Sequence, residues 1–294
     1  MNNPFCHIPL LAMQPFKSYR EGARMQDITS RDNRLIRLAL SLKQKKHRYE
    51  EHKLLAEGMR LVGDALANGI RGGICLVTEK TAAGPDFAAL YEKGRVLGWK
   101  FFRASAGAYA KLKETQATQG ITAVLPFFEY TLQDLIDIEP YKAVLYLECI
   151  QDPGNLGTII RTAAATGAGA VLLSENSVDL YNDKTVRSAM GAIFKVPVVQ
   201  GVMRNDLQDY CKKTGRRLLM TAADAKTVYT DIDWHRPSVV VFGNEGAGLS
   251  AEMMEQGEEF LAVPMRDDTE SLNLAVTVGV VLYKAWEQAG FKEQ

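Results

Sequence analysis

The chain has little cysteine and little histidine, with four residues of each among 294. The cysteines are Cys6, Cys75, Cys149 and Cys211. Neither set shows a Cys-x-x-Cys pair or the spacing of zinc ligands, so a disulfide scaffold is excluded and no metal is expected. Cys75 and Cys149 fall in apolar, strand-like runs, where free thiols pack as small hydrophobic groups. This pattern predicts a reducing, cytoplasmic compartment.

Net charge and long apolar runs are also lacking. The 35 basic and 35 acidic residues balance, so the overall charge does not indicate a nucleic-acid partner. No apolar run reaches the length of roughly 20 residues that crosses a membrane, so no membrane association is expected. Residues 1–26 lack the basic start and continuous apolar core of a signal peptide, and we interpret them as a loosely ordered N-terminal extension.

What is present is an alternation of helix and strand patterns along most of the chain. The length of the chain, 294 residues, corresponds to about two domains of ordinary size. We predict a smaller α/β domain with four strands over 27–127 and an acidic linker over 128–140 that ends at a proline. Over 141–294 the strands, such as Val239–Phe242, carry no polar alternation, which is typical of a parallel sheet covered by helices on both faces.

One segment departs from the neutral balance of charge. Between Arg31 and Arg60, nine basic residues stand against four acidic ones, a net charge of +5. Such a segment is either a solvated helix face or a surface that contacts phosphates. On the second interpretation, Lys43, Lys45 and Lys46 are candidate RNA contacts.

The first of three glycine-containing segments is Gln151-Asp-Pro-Gly-Asn-Leu-Gly-Thr-Ile-Ile-Arg161. Asn155 follows Pro153-Gly154, at a position that predicts a helix N-cap. Gly157 and Arg161 are four residues apart and share a helix face, where the missing side chain lets a ligand approach the guanidinium. The alternative is a helix packed closely on a sheet, with Arg161 in an ordinary salt bridge.

The second segment, Phe242-Gly-Asn-Glu-Gly-Ala-Gly-Leu-Ser250, follows a buried strand. Three glycines in six residues permit turns with positive φ and close approach of the backbone to a ligand. The spacing matches neither a P-loop nor the dinucleotide fingerprint. Glu245 could accept hydrogen bonds from a ribose or an amine, or it could simply be exposed in a turn.

The third segment comprises Val263-Pro-Met265 and Ser271-Leu-Asn273, separated by an acidic loop. We expect Ser271 or Thr269 to cap the last helix, predicted over Leu272–Gln288, with Asn273 in its first turn. Residues on one face of that helix form an apolar stripe, which is either core or a contact with a second helix. They are Leu272, Val276, Gly279 and Tyr283.

In this order, the three segments resemble motifs 1, 2 and 3 of the SpoU/TrmH branch of the SPOUT RNA methyltransferases. The resemblance extends from Ile28 to about Ala289. It implies an α/β fold in which a parallel sheet ends in a C-terminal deep trefoil knot, preceded by a smaller L30e-like RNA substrate-binding domain. Nothing in the apolar pattern itself indicates a knot.

The resemblance also implies S-adenosyl-L-methionine as the cofactor, no metal, and a homodimer with the site at the subunit interface. We expect the last helix to contribute Leu272, Gly279 and Tyr283 to that interface. The positions that match the family's active-site residues are Asn155, Arg161, Glu245 and Asn273. The candidate cofactor-binding residues are Thr221, Gly243, Asn244, Gly248, Val263, Met265, Ser271 and Leu272.

Two further segments resemble this family. One is Asp183–Ala192, which places Arg187 near the RNA, and the other is Thr118–Ala123 at the end of the first domain. An extra N-terminal domain of this kind favours ribosomal RNA over transfer RNA. One departure is Leu274-Ala-Val-Thr277, which replaces a more serine-rich continuation of motif 3.

The implied reaction is methyl transfer to a ribose 2′-hydroxyl. Because arginine stays protonated below about pH 12, we expect Arg161 to stabilise the developing alkoxide, with the proton leaving through a phosphate or Glu245. One alternative is a transfer-RNA 2′-O-methyltransferase. Another is a non-catalytic knotted RNA-binding protein, but the presence of all four matched active-site residues argues against loss of activity. A Rossmann dehydrogenase would need a glycine spacing that is missing after the first strand.

Overall fold

The computed structural model describes residues 25–112, 120–257, 259–266, 269 and 271–292. The chain divides into two compact units, Met1–Phe128 and Glu129–Gln294. Some predicted features lie wholly or partly outside the described residues: the N-terminal extension up to residue 24, the end of the third predicted helix at Lys113, the start of the Thr118–Ala123 segment and most of the acidic loop. Among the described residues, no helix is long and apolar enough to cross a membrane.

The first unit contains a mixed five-stranded sheet. Its strands are β1 (Gln26–Ile28), β2 (Lys53–Glu57), β3 (Ile74–Thr78), β4 (Lys100–Ala104) and β5 (Ile121–Pro126), in the order β1-β4-β3-β5-β2. Strands β1, β4 and β3 are parallel, and β5 runs antiparallel to both β3 and β2. The helices are α1 (Arg34–Ser41), α2 (Lys45–Glu51), α3 (Met59–Ala67), α4 (Glu79–Ala82), α5 (Pro85–Val96) and α6 (Ala106–Tyr109).

Three elements of this unit were not predicted: β1, α2 and the one-turn helix α4. Strand β1 begins at Gln26, inside the predicted extension, and only Ile28 of its three residues is buried. Three residues carry no periodic signal, so the strand is defined by its pairing with β4. Helix α2 is polar, and its one buried residue is Arg48, which donates to the carbonyl oxygens of Leu42 and Lys43 at 2.8 and 2.9 Å. Arg48 therefore belongs to the interior rather than to the predicted basic surface.

The second unit contains the predicted parallel sheet. Its strands are β6 (Val144–Leu147), β7 (Ala170–Ser174), β8 (Val198–Val202), β9 (Arg217–Thr221), β10 (Ser238–Phe242) and β11 (Glu259–Leu261). Their order is β11-β9-β10-β6-β7-β8, and every pairing is parallel. The helices are α7 (Pro153–Thr166), α8 (Asp183–Ala189), α9 (Arg204–Thr214), α10 (Ala251–Met254) and α11 (Leu274–Gln288).

The segment predicted as a linker packs into the second unit. Leu135 and Ile138 are buried in its apolar core. The guanidinium of the buried Arg216 donates to the carbonyl oxygens of Ile138 and Glu139 at 3.2 and 2.9 Å. Because its backbone polar groups are satisfied inside this unit, the segment behaves as part of the unit rather than as a free connection.

The sheet order brings the three motifs to one edge. All strands are parallel, so their carboxyl ends share an edge, and ligand sites of open α/β sheets form there. Strand β6 precedes the first motif, β10 precedes the second, and β11 precedes the third. Strands β10 and β6 are neighbours, and β9 lies between β10 and β11.

Candidate active site

Helix α7 begins at the first motif, with Asp152 rather than Asn155 as its N-cap. The carboxylate of Asp152 accepts from the backbone N–H of Asn155 at 2.8 Å and from Lys184 Nζ at 2.9 Å. The hydrogen bond from Lys184, followed by that from the backbone of Asn155, lowers the pKa of Asp152. The prediction of Asn155 as the cap is therefore wrong, and its side chain is available for other contacts in the first turn.

Gly157 and Arg161 have different surroundings from those predicted. A Cβ atom at Gly157 would lie 2.5 Å from Ser188 Cβ and 2.6 Å from the carbonyl oxygen of Thr185, so helix α8 occupies the space that we assigned to a ligand. Arg161 is exposed, and among the described residues it has no hydrogen bond or ion pair. The guanidinium is thus solvent-exposed, whereas the glycine serves helix packing.

The Gly243–Ser250 loop, which is the second motif after Phe242, closes on itself. Asn244 and Gly248 exchange two backbone hydrogen bonds of 2.9 and 3.0 Å, and Gly248 has a φ of +71°. A Cβ atom at Gly243 would lie 2.2 Å from the backbone of Gly248. The side-chain oxygen of Asn244 accepts from the N–H groups of Gly246 and Ala247. Gly243 and Gly248 are therefore required by the loop's own geometry: the predicted positive φ occurs at Gly248, and the space beside Gly243 is filled by the loop itself rather than by a ligand.

Glu245 joins this loop to the first motif. Its carboxylate accepts from the backbone N–H groups of Gln151 at 3.1 Å and Asp152 at 3.0 Å, and from Asn155 Nδ2 at 3.2 Å. Burial favours a raised pKa for Glu245, but these hydrogen bonds outweigh it and lower the pKa below its usual value. Glu245 is therefore an ionised acceptor that holds the loop to the start of helix α7.

Asn273 joins the third motif to the first. It is the N-cap of α11, and its side-chain oxygen accepts from the N–H groups of Ala275 and Val276. Its amide nitrogen donates to Asn155 Oδ1 at 2.9 Å. The prediction that Ser271 or Thr269 caps this helix is wrong, because Asn273 fills that position. Three of the four predicted active-site residues thus form one hydrogen-bonded group, with Arg161 outside it.

A cleft of about 130 Å³ opens beside this group. Its lining comprises Thr221, Ala222, Ala223, Leu261, Val263, Met265, Ser271, Leu272 and Thr277. Five of the eight predicted cofactor-binding residues are among these, whereas Gly243, Asn244 and Gly248 are not. The sequence interpretation missed the other four, which are Ala222, Ala223, Leu261 and Thr277. Ala222 directly follows β9, and Thr277 lies one helical turn after Asn273.

The predicted RNA-binding residues lie in both units. In the first unit, Lys45 and Lys46 are exposed, with Lys45 5.6 Å from the ring centre of Tyr49, whereas Lys43 is half-buried. In the second unit, Arg187 is exposed on helix α8, which packs against α7. Among the described residues, no group of three or more His, Cys, Asp or Glu side chains could hold a metal ion.

The comparison with known proteins identifies the family. Residues 142–283 match the SpoU rRNA Methylase family, and residues 33–123 match the MRM3-like substrate binding domain. The 23S rRNA (guanosine(2553)-2′-O)-methyltransferase RlmP of Bacillus subtilis is 35% identical over 263 residues, which cover 88% of this chain and 98% of that protein. An AdoMet-bound rRNA methyltransferase from Sinorhizobium meliloti superimposes with a TM-score of 0.81 at 28% identity, covering 90% and 98% of the two chains.

The chain belongs to the SpoU rRNA methylase family. The predicted class is confirmed: it is an RNA 2′-O-ribose methyltransferase that uses S-adenosyl-L-methionine. Its second unit has the parallel-sheet fold of the SPOUT methyltransferases, and its first unit is the predicted α/β substrate-binding domain.

Proposed function

We propose that this enzyme methylates a ribose 2′-hydroxyl in the RNA of the large ribosomal subunit. The similarity to RlmP over nearly its whole length, including the substrate-binding domain, carries this proposal. An equivalent likeness, 35% over 270 residues, exists to an uncharacterised tRNA/rRNA methyltransferase of Synechocystis, so transfer RNA is the competing substrate class.

The cleft beside Asn273 fits S-adenosyl-L-methionine. Its apolar walls, which include Leu261, Val263 and Leu272, suit an adenine ring, and the hydroxyl-bearing Thr221, Ser271 and Thr277 suit polar groups of the cofactor. The hydroxyl of Thr221 donates to the carbonyl oxygen of Val241 at 2.9 Å, which orients its free lone pairs. When bound, the cofactor supplies an activated methyl group on its sulfonium.

Arg161 is the residue that we assign to the reacting hydroxyl. Its guanidinium is exposed and has no partner among the described residues, and it lies two turns along α7 from Asn155. A fixed positive charge there stabilises negative charge that develops on the ribose oxygen. Because arginine does not release its proton near neutral pH, it acts as an electrostatic stabiliser rather than as a base.

Glu245 and the two asparagines position the site. Glu245 accepts three hydrogen bonds within the protein and has a lowered pKa, which makes it a weak proton acceptor. We therefore assign the proton to a phosphate of the RNA rather than to Glu245. Asn155, which accepts from Asn273 and donates to Glu245, holds the first turn of α7 next to both loops.

Three finer features follow from family membership. We propose that the end of the second unit forms a deep trefoil knot, that the enzyme works as a homodimer, and that it acts in the cytoplasm. The N–H of Ala262 donates to the carbonyl oxygen of Thr227, and the N–H of Tyr229 donates to the carbonyl oxygen of Ala262, so the segment after β9 pairs with the chain just after β11. The exposed apolar residues Val276 and Tyr283 support a dimer through α11, whereas Leu272, which was predicted to lie on this helix, precedes its N-cap Asn273 and lines the cleft.

The test uses purified full-length protein, S-adenosyl-L-methionine and protein-free RNA. Methyl groups are mapped by 2′-O-methyl-sensitive sequencing on 23S rRNA, 16S rRNA and total tRNA offered in parallel. We expect one modified nucleotide in 23S rRNA, which the Arg161→Ala variant modifies about 10²–10³-fold more slowly. Modification confined to tRNA would replace the proposed substrate, and binding of RNA and cofactor without any methylation would indicate a non-catalytic binding protein.

A further inference from the structure

Glu148, which lies outside the three motifs, contacts the Gly243–Ser250 loop at both ends. It follows β6, and its backbone N–H donates to the carbonyl oxygen of Phe242 at 2.8 Å, where the loop begins. Its carboxylate accepts from the backbone N–H of Ser250 at 2.9 Å and from Ser250 Oγ at 2.6 Å, where the loop ends. Glu148 is only 8% exposed, so these bonds lie largely away from water.

The next residue, Cys149, contacts the middle of the same loop. Its carbonyl oxygen accepts from Asn244 Nδ2 at 2.8 Å. Cys149 has a φ of +52°, a conformation that non-glycine residues rarely adopt, and its N–H donates to Ser174 Oγ at 2.7 Å. The prediction that Cys149 sits in a strand is therefore wrong: β6 ends at Leu147, and the chain turns sharply at Cys149.

These contacts determine where Glu245 lies. The loop is joined to the chain after β6 at Phe242, Asn244 and Ser250, so its backbone has little freedom along its length. Glu245 projects from the middle of the loop towards Asn155. A displacement of Ser250 would therefore also displace Glu245. Among the described residues, no hydrogen bond joins Glu148 to Glu245 directly.

We propose that Glu148 is a positioning residue for methyl transfer, acting through Ser250 to hold the loop that carries Glu245. This inference rests on the proposed function, because it concerns the rate of that reaction. Both carboxylate oxygens of Glu148 accept from Ser250, and neither lies in the lining of the cofactor cleft. The role is therefore one of geometry, not of proton transfer.

The experiment compares Glu148→Ala, Glu148→Gln and Ser250→Ala in the full-length enzyme. Three quantities are measured: kcat on 23S rRNA, the Kd of S-adenosyl-L-methionine by calorimetry, and Tm. We expect Glu148→Ala to lower kcat by about 10- to 100-fold, because small misplacements of positioning groups cost rates of that order. The cofactor Kd should change far less than kcat.

Glu148→Gln should keep most of the rate, since the amide oxygen can accept from the N–H of Ser250 while the amide nitrogen donates to its hydroxyl. Ser250→Ala should also lower kcat, but by less than Glu148→Ala, and the double variant should be no slower than Glu148→Ala alone.

Glu259→Gln is the control for these variants. The carboxylate of Glu259 pairs with Arg217 and Arg236 at the amino ends of the strands, and its loss should lower Tm without lowering kcat.

The outcomes separate the two proposals. If the wild-type enzyme methylates no RNA, the proposed function fails before any variant is compared. If it does, and Glu148→Ala or Ser250→Ala lowers only Tm, as Glu259→Gln does, Glu148 is merely structural and the inference is overturned. Equal loss of rate in Glu148→Gln and Glu148→Ala would also overturn it, since the charge itself would then matter. If Glu148→Ala does not fold, an unchanged kcat for Ser250→Ala decides against the inference.

Discussion

The side-chain amide of Asn273 donates to the side-chain oxygen of Asn155 at 2.9 Å, although the two residues are 118 positions apart in the chain. Asn273 Oδ1 is used in capping α11, so its Nδ2 faces outward as a donor. Asn155 must then accept through its oxygen and donate through its nitrogen, which it does to Glu245. The orientation of two amides is thus determined by a helix cap.

This relationship predicts different results for two substitutions of Asn273. Asn273→Ala removes both the cap and the donor, so it should destabilise the protein by about 1 kcal/mol and also slow methyl transfer. Asn273→Ser keeps a capping oxygen but lacks the amide donor, so it should slow methyl transfer with little loss of stability. Denaturant unfolding and steady-state kinetics measure the two effects. Equal kinetics for Asn273→Ser and the wild type would contradict the positioning role.

Arg161→Ala should reduce kcat by about 10²–10³-fold, because it removes a preorganised positive charge from the reacting oxygen. The affinity for S-adenosyl-L-methionine should stay within a few fold, since Arg161 does not line the cleft. Single-turnover assays and calorimetry measure these two quantities. Arg236→Ala, which removes an exposed arginine paired with Glu259, is the matched control and should keep the full rate. A parallel loss of cofactor affinity in Arg161→Ala would refute the assigned role.

The lowered pKa of Glu245 predicts how stability depends on pH. A carboxyl group whose pKa is lower in the folded state stabilises the fold above its unfolded-state pKa, and this contribution is lost as the pH falls through the folded-state pKa. Glu245→Gln should therefore be less stable than the wild type at pH 7, and the gap should narrow below the ordinary Glu pKa of 4.5. Thermal unfolding of both proteins from pH 7 to pH 3 tests this, and a gap that does not change with pH would count against it.

The basic segment of the first unit predicts a salt effect. Lys45 and Lys46 are exposed, whereas Lys43 is half-buried with its ammonium 3.4 Å from the carbonyl oxygen of Leu112. Changing Lys45 and Lys46 to Gln should weaken RNA binding. It should also reduce the slope of the logarithm of the binding constant against the logarithm of the salt concentration, by up to about 0.9 for each duplex phosphate that is no longer neutralised. The control changes Lys212 and Lys213 of α9, which are also exposed. An unchanged salt slope would indicate that the basic segment is a solvated helix face that does not contact RNA.

Helix α11 predicts the oligomeric state. One face packs Ala275, Val278 and Leu282 into the second unit, while Val276 and Tyr283 on another face are 52% and 47% exposed. Changing Val276 and Tyr283 together to Glu should therefore yield a folded monomer in place of a dimer by light scattering, with a lower rate because the site lies at the proposed interface.

Val96→Glu provides the control for this prediction, since Val96 is 87% exposed on α5 of the first unit and should not alter the oligomeric state. A wild-type enzyme that is monomeric at micromolar concentration and fully active would contradict the dimer. Gly279 offers a second probe: among the described residues, a Cβ atom there would meet only Thr162 Cγ2 at 3.9 Å, so Gly279→Ala should disturb a partner helix rather than the packing of this unit.

Much of this protein could be predicted from local patterns. Apolar runs without alternation, such as Val239–Phe242, identified the buried strands of a parallel sheet, because a strand covered on both faces needs apolar residues at every position. The glycine-rich turns after β6 and β10 marked the edge where the site lies. The three short motifs, in their order along the chain, were sufficient to predict the family, since they carry the polar residues that methyl transfer requires.

The tertiary structure decided the partners of those residues. At Gly157, a side chain would collide with helix α8, and at Gly243 it would collide with the backbone of Gly248. Neither collision can be predicted from the local sequence, because each depends on how the chain folds. Asn155 does not cap α7, since Asp152, held by Lys184, occupies that position. Glu148 carries no motif signal, and its role depends on Ser250, which lies 102 residues further along the chain. Local composition determines which elements form, whereas hydrogen bonds between distant segments depend on how the sheet orders its strands.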